Sequence, residues 1–155
     1  MEYMHLRPTS PDDLAFVRAV EGATENAAFV EQWTVAEHQA CIHAPGCAHW
    51  ILEAGRPRRA VGYAILQDVD HPDGVVMLRR IAIAGKGRGY GRRAVRALIT
   101  HVFAELGAQR LWLSVLRSNR RALRLYRDLG FVDDPRGLPA PGSRILILER
   151  PAARQ

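Results

Sequence analysis

Residues 84 to 91 read Ala-Gly-Lys-Gly-Arg-Gly-Tyr-Gly, with glycine at 85, 87, 89 and 91. Neither a helix nor a strand tolerates glycine at every second position, since each one loses backbone order and packs no side chain. The segment is therefore a loop, and its flanks give it meaning. Before it, Val75 to Ile83 is a long apolar run of strand type. After it, Ala94, Val95, Leu98, Ile99, Val102 and Phe103 recur at helical spacing, which predicts a helix from about Gly89 to Leu106. A strand, a glycine turn and a helix start form a device for holding phosphate. Glycines let the backbone approach the anion, and the first helical turn offers free N–H groups and the positive end of the dipole. Arg88, Arg92 and Arg93 add charge close by.

Two common phosphate loops are excluded. The dinucleotide pattern G-x-G-x-x-G fails, because its last position falls on Tyr90 or Arg92. The nucleoside triphosphate loop fails for lack of a following Gly-Lys-Ser/Thr. The pattern that fits is basic-x-x-G-x-G, from Lys86 to Gly91.

Punctuation along the chain supplies the rest. Tyr3 to Arg7 reads as a short strand stopped by Pro8, and Ser10-Pro11-Asp12-Asp13 as a helix start running to about Val20. Glu21 to Gln32 is ambiguous. Thr34 caps a second helix to about His43. His49 to Glu53, Ala60 to Gln67 and Val75 to Ile83 have short connections and read as an antiparallel meander. Arg110 to Leu116 is a further strand, Ser118 or Asn119 caps a helix ending at Gly130, and Arg144 to Glu149 is the last strand. The result is an α/β (α+β) fold in a single domain, residues 1–150, with 151–155 as a tail.

Charge and composition narrow the partners. With 22 Lys and Arg against 16 Asp and Glu, the chain carries a formal +6. That suits an anionic partner such as a phosphorylated cofactor; equally, it reflects a chain that uses Arg throughout, Lys86 being the one lysine. Nucleic acid is not expected, because basic residues do not interleave with aromatics and no helix-turn-helix or zinc-finger signature occurs. No apolar run approaches the roughly 18 residues of a membrane span, and the N-terminus lacks a basic-then-apolar signal, so a cytoplasmic, reduced protein with no membrane partner is expected. Cys41 and Cys47 make no disulfide framework. With His38, His43 and His49 they form a cluster whose irregular spacing matches no zinc template, so no metal is expected.

Two segments carry a family resemblance. RIAIAGKGRGYGRRAVRAL (80–98) and SNRRALRLYRDLGF (118–131), in that order with a strand between them, resemble the GCN5-related N-acetyltransferase (GNAT) family, over nearly the whole chain. The resemblance implies a mixed, mostly antiparallel central sheet of about six to seven strands flanked by about four helices. It implies acetyl-CoA as co-substrate and a primary amine of a small molecule or peptide as acceptor. Backbone amides of Arg88, Gly89, Tyr90, Gly91 and Arg92, with Lys86, would cradle the diphosphate. The backbone of Ile81, Ala82 and Ile83 would pair with the pantetheine arm as an added strand does. Asn119 would bond that arm, and Tyr126 would protonate the leaving thiolate. From the residues alone, Asn119 reads equally as a helix N-cap and Tyr126 as a core aromatic. Exposed edge strands would be the means of pairing into a homodimer.

The chain departs from the family in two respects: Lys86 stands where relatives usually carry Gln or Arg, which keeps a basic side chain, and the long strand lacks an acid. Where relatives often carry an acid on the long strand, this chain reads Val-Val-Met-Leu-Arg-Arg from 75 to 80. No general base carries over; Glu25, Glu53, Asp68, Asp70 and His71 are local alternatives, and deprotonation through water without one dominant base is expected. The acceptor pocket is expected between Glu21–His43 and the loop Asp133–Gly142, with Trp33 as a wall or simply packed, and Glu25 among acids that attract a cation. The other functional class is a non-catalytic acyl-CoA-binding module, which the missing acid favours slightly, whereas the presence of both Asn119 and Tyr126 favours an active enzyme more.

Overall fold

A computed structural model describes residues 3–85 and 87–152. Its elements in chain order are β1 (His5–Pro8), a 3₁₀ turn (Pro11–Asp13), α1 (Leu14–Glu21), α2 (Thr24–Ala27), α3 (Val35–His43), β2 (Cys47–Ala54), β3 (Arg59–Gln67) and β4 (Val75–Ile83). The second half holds α4 (Tyr90–Thr100), which runs into a π-helical turn (His101–Glu105), then β5 (Arg110–Leu116), α5 (Arg120–Asp128), β6 (Val132–Asp133) and β7 (Ser143–Glu149). The strands form one seven-stranded sheet in the order β1-β2-β3-β4-β5-β7-β6. Every pairing is antiparallel except β4 with β5. This is the expected single α/β sheet domain. Among the described residues no helix is long and apolar enough to cross a membrane.

Helices cover both faces, and the central strand shows it. In β3, Val61 to Leu66 are buried without a break, the signature of a strand covered on both sides. One face packs α4, the π-helical turn after it and α5 through Ala94, Val95, Leu98, Val102 and Leu123 onto Leu52, Leu66, Leu78 and Leu111. Burying each such leucine contributes about 1.5–3 kcal/mol. The other face packs α1 and α3 through Val17, Val20 and Cys41 onto Ile51, Tyr63, Ile65 and Ala82. Gly62 is required where β3 crosses β4, because a Cβ there would strike the Ala82 carbonyl oxygen.

Local chemistry sets the ends. Thr34 caps α3: its Oγ1 accepts from the Glu37 N–H at 3.1 Å, and Glu37 Oε1 accepts from the Thr34 N–H at 3.2 Å. Arg7 grips Asp13 with two N–H donors at 2.8 and 2.9 Å, and that guanidinium holds the Asp13 carboxyl down at about 2. The helix expected from Gly89 to Leu106 is α-helical only to Thr100. Beyond it the turn widens, with the Leu106 N–H donating to the His101 carbonyl at 3.0 Å, which lets the neighbours Val102 and Phe103 both reach the core. Arg150 donates to the Phe103 and Ala108 carbonyls at 2.8 and 3.0 Å and closes the helix end. The ambiguous stretch from Glu21 to Gln32 holds the last residue of α1, Glu21, and then the short helix α2 within irregular chain.

Candidate functional site

The sheet splits at its centre. Strands β4 and β5 pair only from Val75–Met77 to Arg110–Trp112. Past that point β4 continues bonded to β3, and β5 to β7, with no ladder between them. Leu78 to Ile83 and Leu113 to Leu116 thus face each other across a cleft of about 590 Å³, within the usual range for small-molecule sites. The cause is visible in β4: Ile65 pairs with Arg80 and Leu66 with Leu78, so Arg79 is an extra, bulged residue that bends the strand away.

The glycine loop lies at the mouth of this cleft. Gly85, Gly87 and Gly89 have φ of 71°, 94° and 75°, and a Cβ on any of them would meet no atom within 4 Å. The loop therefore shows bare backbone to open space. Gly89 is the N-cap of α4 and supplies no side-chain acceptor, so the first turn's amides point outward unmasked. Gly85, Gly87, Gly89, Tyr90, Gly91 and Arg92 all line the cleft. Arg92 also pairs with Asp128 at 3.1 Å, and Arg93 donates to the Arg88 carbonyl at 3.1 Å. Arg59 and Arg88 beside the Tyr90 hydroxyl pull its pKa below the ordinary phenol value. Lys86 lies outside the described residues. A diphosphate fits this donor set, made of backbone N–H groups, a helix N-terminus and arginines.

Asn119 and Tyr126 line the opposite wall. Asn119 is the N-cap of α5, its Oδ1 accepting from the Ala122 N–H at 3.3 Å, which leaves its amide N–H₂ free to donate. Tyr126 is 7% exposed and meets Phe131 edge-to-face at 5.5 Å. Burial alone pushes its phenol up to about 12, so it is protonated, and a donor, throughout the neutral range.

Asn26, Phe29, Val30 and Glu31, from the Glu21–His43 stretch expected there, line the cleft with Arg79 and Arg80; Ser143 contributes, whereas none of Asp133 to Gly142 does. Glu25 is exposed on α2 and Trp33 sits behind the wall, neither lining the cleft. Trp33 instead supports Arg80, whose guanidinium lies 4.1 Å from the ring centroid. Of the acids and the histidine considered as bases, none lines the cleft, and Glu53 is bound to Arg7 at 3.1 Å.

Behind Arg80 runs a buried polar chain that spacing alone did not reveal. Glu21 is 1% exposed; it accepts from the Tyr63 hydroxyl at 2.9 Å, contacts His38 Nε2 at 2.8 Å and Arg80 Nη1 at 3.6 Å. His38 Nδ1 meets His49 Nε2 at 3.1 Å, and His49 Nδ1 meets Thr9 Oγ1 at 2.7 Å. With neutral rings the chain has one direction. Glu21 can only accept, so His38 and His49 each donate from Nε2 and accept at Nδ1, and the Thr9 hydroxyl donates. Burial, with help from His38 and Arg80, pushes His49 down to about 4. Arg79-Arg80 inside an apolar strand was the signal that could have found this end of the site. Among the described residues no group of three or more His, Cys, Asp or Glu could hold a metal ion.

Fold and cleft define an α/β domain whose main cleft is built into a break in its sheet. The chain belongs to the acetyltransferase (GNAT) family, whose model matches residues 15–131. A spermine/spermidine N(1)-acetyltransferase of Bacillus subtilis is 36% identical over 66 residues, 41% of this chain and 43% of that relative, so less than half of the relative is spanned. The crystal structure of spermidine N-acetyltransferase from Vibrio cholerae, in complex with CoA and spermine, superposes with a TM-score of 0.79 at 18% identity over 95% of both chains. A domain from Methanocaldococcus jannaschii superposes at 0.78, with 19% identity, over 96% of this chain and 99% of that one.

Proposed function

We propose that the protein transfers an acetyl group from acetyl-CoA to a primary amine. The observation that carries this reading is the break between β4 and β5, with the bare glycine loop at its mouth and Tyr126 and Asn119 on its wall. Family membership and the likeness to acetyltransferases support it.

Acetyl-CoA, when bound, supplies an activated acetyl thioester. The backbone amides of Arg88 to Arg92 hold the diphosphate, where the helix dipole favours negative charge. The edge of Ile81, Ala82 and Ile83, which no strand covers and where Asn26 donates to the Ile83 carbonyl at 3.0 Å, binds the pantetheine arm as an added strand, and the free Asn119 amide donates to it. Strand N–H groups on that edge polarise the acetyl carbonyl. Tyr126 presents its O–H to the sulfur and gives it a proton as the thiolate leaves. The amine loses its proton through water, since none of Glu25, Glu53, Asp68, Asp70 and His71 lines the cleft. Holding both reactants in one cleft supplies several kcal/mol more.

The test is thermal stability with and without acetyl-CoA, together with CoA release over an amine panel. Acetyl-CoA at 100 times its Kd adds about 2.7 kcal/mol, a readily measured rise in Tm. Tyr126→Phe should retain that rise and lose about a hundredfold or more in kcat. A rise without CoA release from any amine would support the binding-module alternative. No rise would overturn the assignment of the cleft.

A further inference from the structure

We propose, building on the acetyl-transfer reading, that the acceptor is an amine that also carries a carboxylate, and that Arg80 is its anchor. The cleft's charges argue for this directly. Among the described residues lining it there is one carboxylate, Glu31, against Arg79, Arg80, Arg92 and Arg121. Arg92 lies in the first turn of α4 and Arg121 in the first turn of α5, two residues past Asn119, at the end that suits the phosphates. Arg79 and Arg80 stand at the acceptor end, where a polycation would meet the exposed Arg79 guanidinium and a carboxylate already bound to Arg80.

Arg80 is built as a binding group. Its side chain is only 5% exposed, and its two terminal nitrogens face opposite ways, Nη1 toward the buried Glu21 Oε2 at 3.6 Å and Nη2 toward the exposed Glu31. The guanidinium is fixed from behind by the Trp33 ring and by Glu21, itself held by Tyr63 and His38. In front, Nη2 donates to Glu31 at 3.1 Å. Glu31 is 68% exposed and sits on the irregular chain between α2 and α3, so little holds it there. A surface carboxylate on a buried, preorganised guanidinium occupies the place a ligand carboxylate would take. The acceptor displaces Glu31, and its amine then lies next to Ile81, one residue further along β4, where the acetyl group is delivered.

The experiment measures CoA release on matched pairs, each an amino acid and the amine that remains without its carboxylate, with spermine alongside. Wild type, R80K and E31Q are compared. R80K keeps a cation for Glu21 but loses the Nη2 donor that meets Glu31 and would meet a ligand carboxylate. Wild type should favour the carboxylated member of a pair by about tenfold or more in kcat/KM, R80K should raise its KM by about tenfold with little effect on the decarboxylated partner, and E31Q should lower its KM. Preference for spermine or for the decarboxylated amines would overturn the inference and leave acetyl transfer standing. A preference unchanged in both variants would remove Arg80 from the role. CoA release from no amine would overturn acetyl transfer itself, and this inference with it.

Discussion

Acidification should weaken this fold well above the range in which carboxylates titrate, and one imidazole sets the size of the effect. His49 is 6% exposed, stacked on Tyr63 and bonded to Thr9 and His38, and burial pushes it down to about 4 from an ordinary 6.5. Between those values the folded protein keeps it neutral while the unfolded chain takes up a proton. Stability is therefore lost as pH falls below about 6.5, and the loss levels off near 4. At 1.36 kcal/mol per pH unit, a shift of this size costs about 2 kcal/mol by pH 5 and about 3 by pH 4. For a chain of this length, 2 kcal/mol is a fall of about 4–8 °C in Tm. Asp13 does not confuse the window: its stabilising charge is lost as pH falls from 3.8 toward its folded value of about 2. The assay is urea unfolding followed by tryptophan fluorescence at several pH values from 7 to 4.5, on wild type and His49→Gln. The variant should be less stable at pH 7 but flatter with pH. Parallel profiles for the two proteins between pH 7 and 5 would refute a neutral, buried His49.

Two further substitutions separate roles that the structure superimposes. Asn119→Asp keeps the N-cap acceptor on α5 but removes the amide donor; Tm should change little while KM for acetyl-CoA rises, and an unchanged KM would leave Asn119 as a cap alone. Gly62→Ala drives a methyl group against the Ala82 carbonyl oxygen and should cost about 1–3 kcal/mol in urea unfolding; a neutral effect would mean β3 and β4 separate there at little cost.

Much of the fold was legible because local chemistry repeats at the right period. Thr34, the apolar run of β4 and the stripe of α4 lie where pattern and caps put them. The glycine loop was legible because alternate glycines have few other uses. What stayed hidden depends on contacts across the sheet. Glu21 ends α1, His38 sits on α3 and His49 on β2, and only the packing of α1 and α3 on β2–β4 brings the three together. Arg80 looked like a polar interruption of a strand, because its supports, Trp33 and Glu21, are far away in sequence. The split between β4 and β5 left no local mark, since each strand is well formed by its other neighbour.

That split has a consequence for the life of the protein between encounters with its co-substrate. A seven-stranded sheet ordinarily has two borders, and this one has four, two of them in its middle. Each inner border presents extended backbone with open donors and acceptors, the kind of template on which stray segments add and aggregates begin. On the proposed function, the pantetheine arm covers one of them whenever acetyl-CoA is bound. Starvation for the co-substrate would then do more than halt turnover: it would uncover the sheet's interior and shorten the protein's shelf life, in storage and in a protease-rich extract alike.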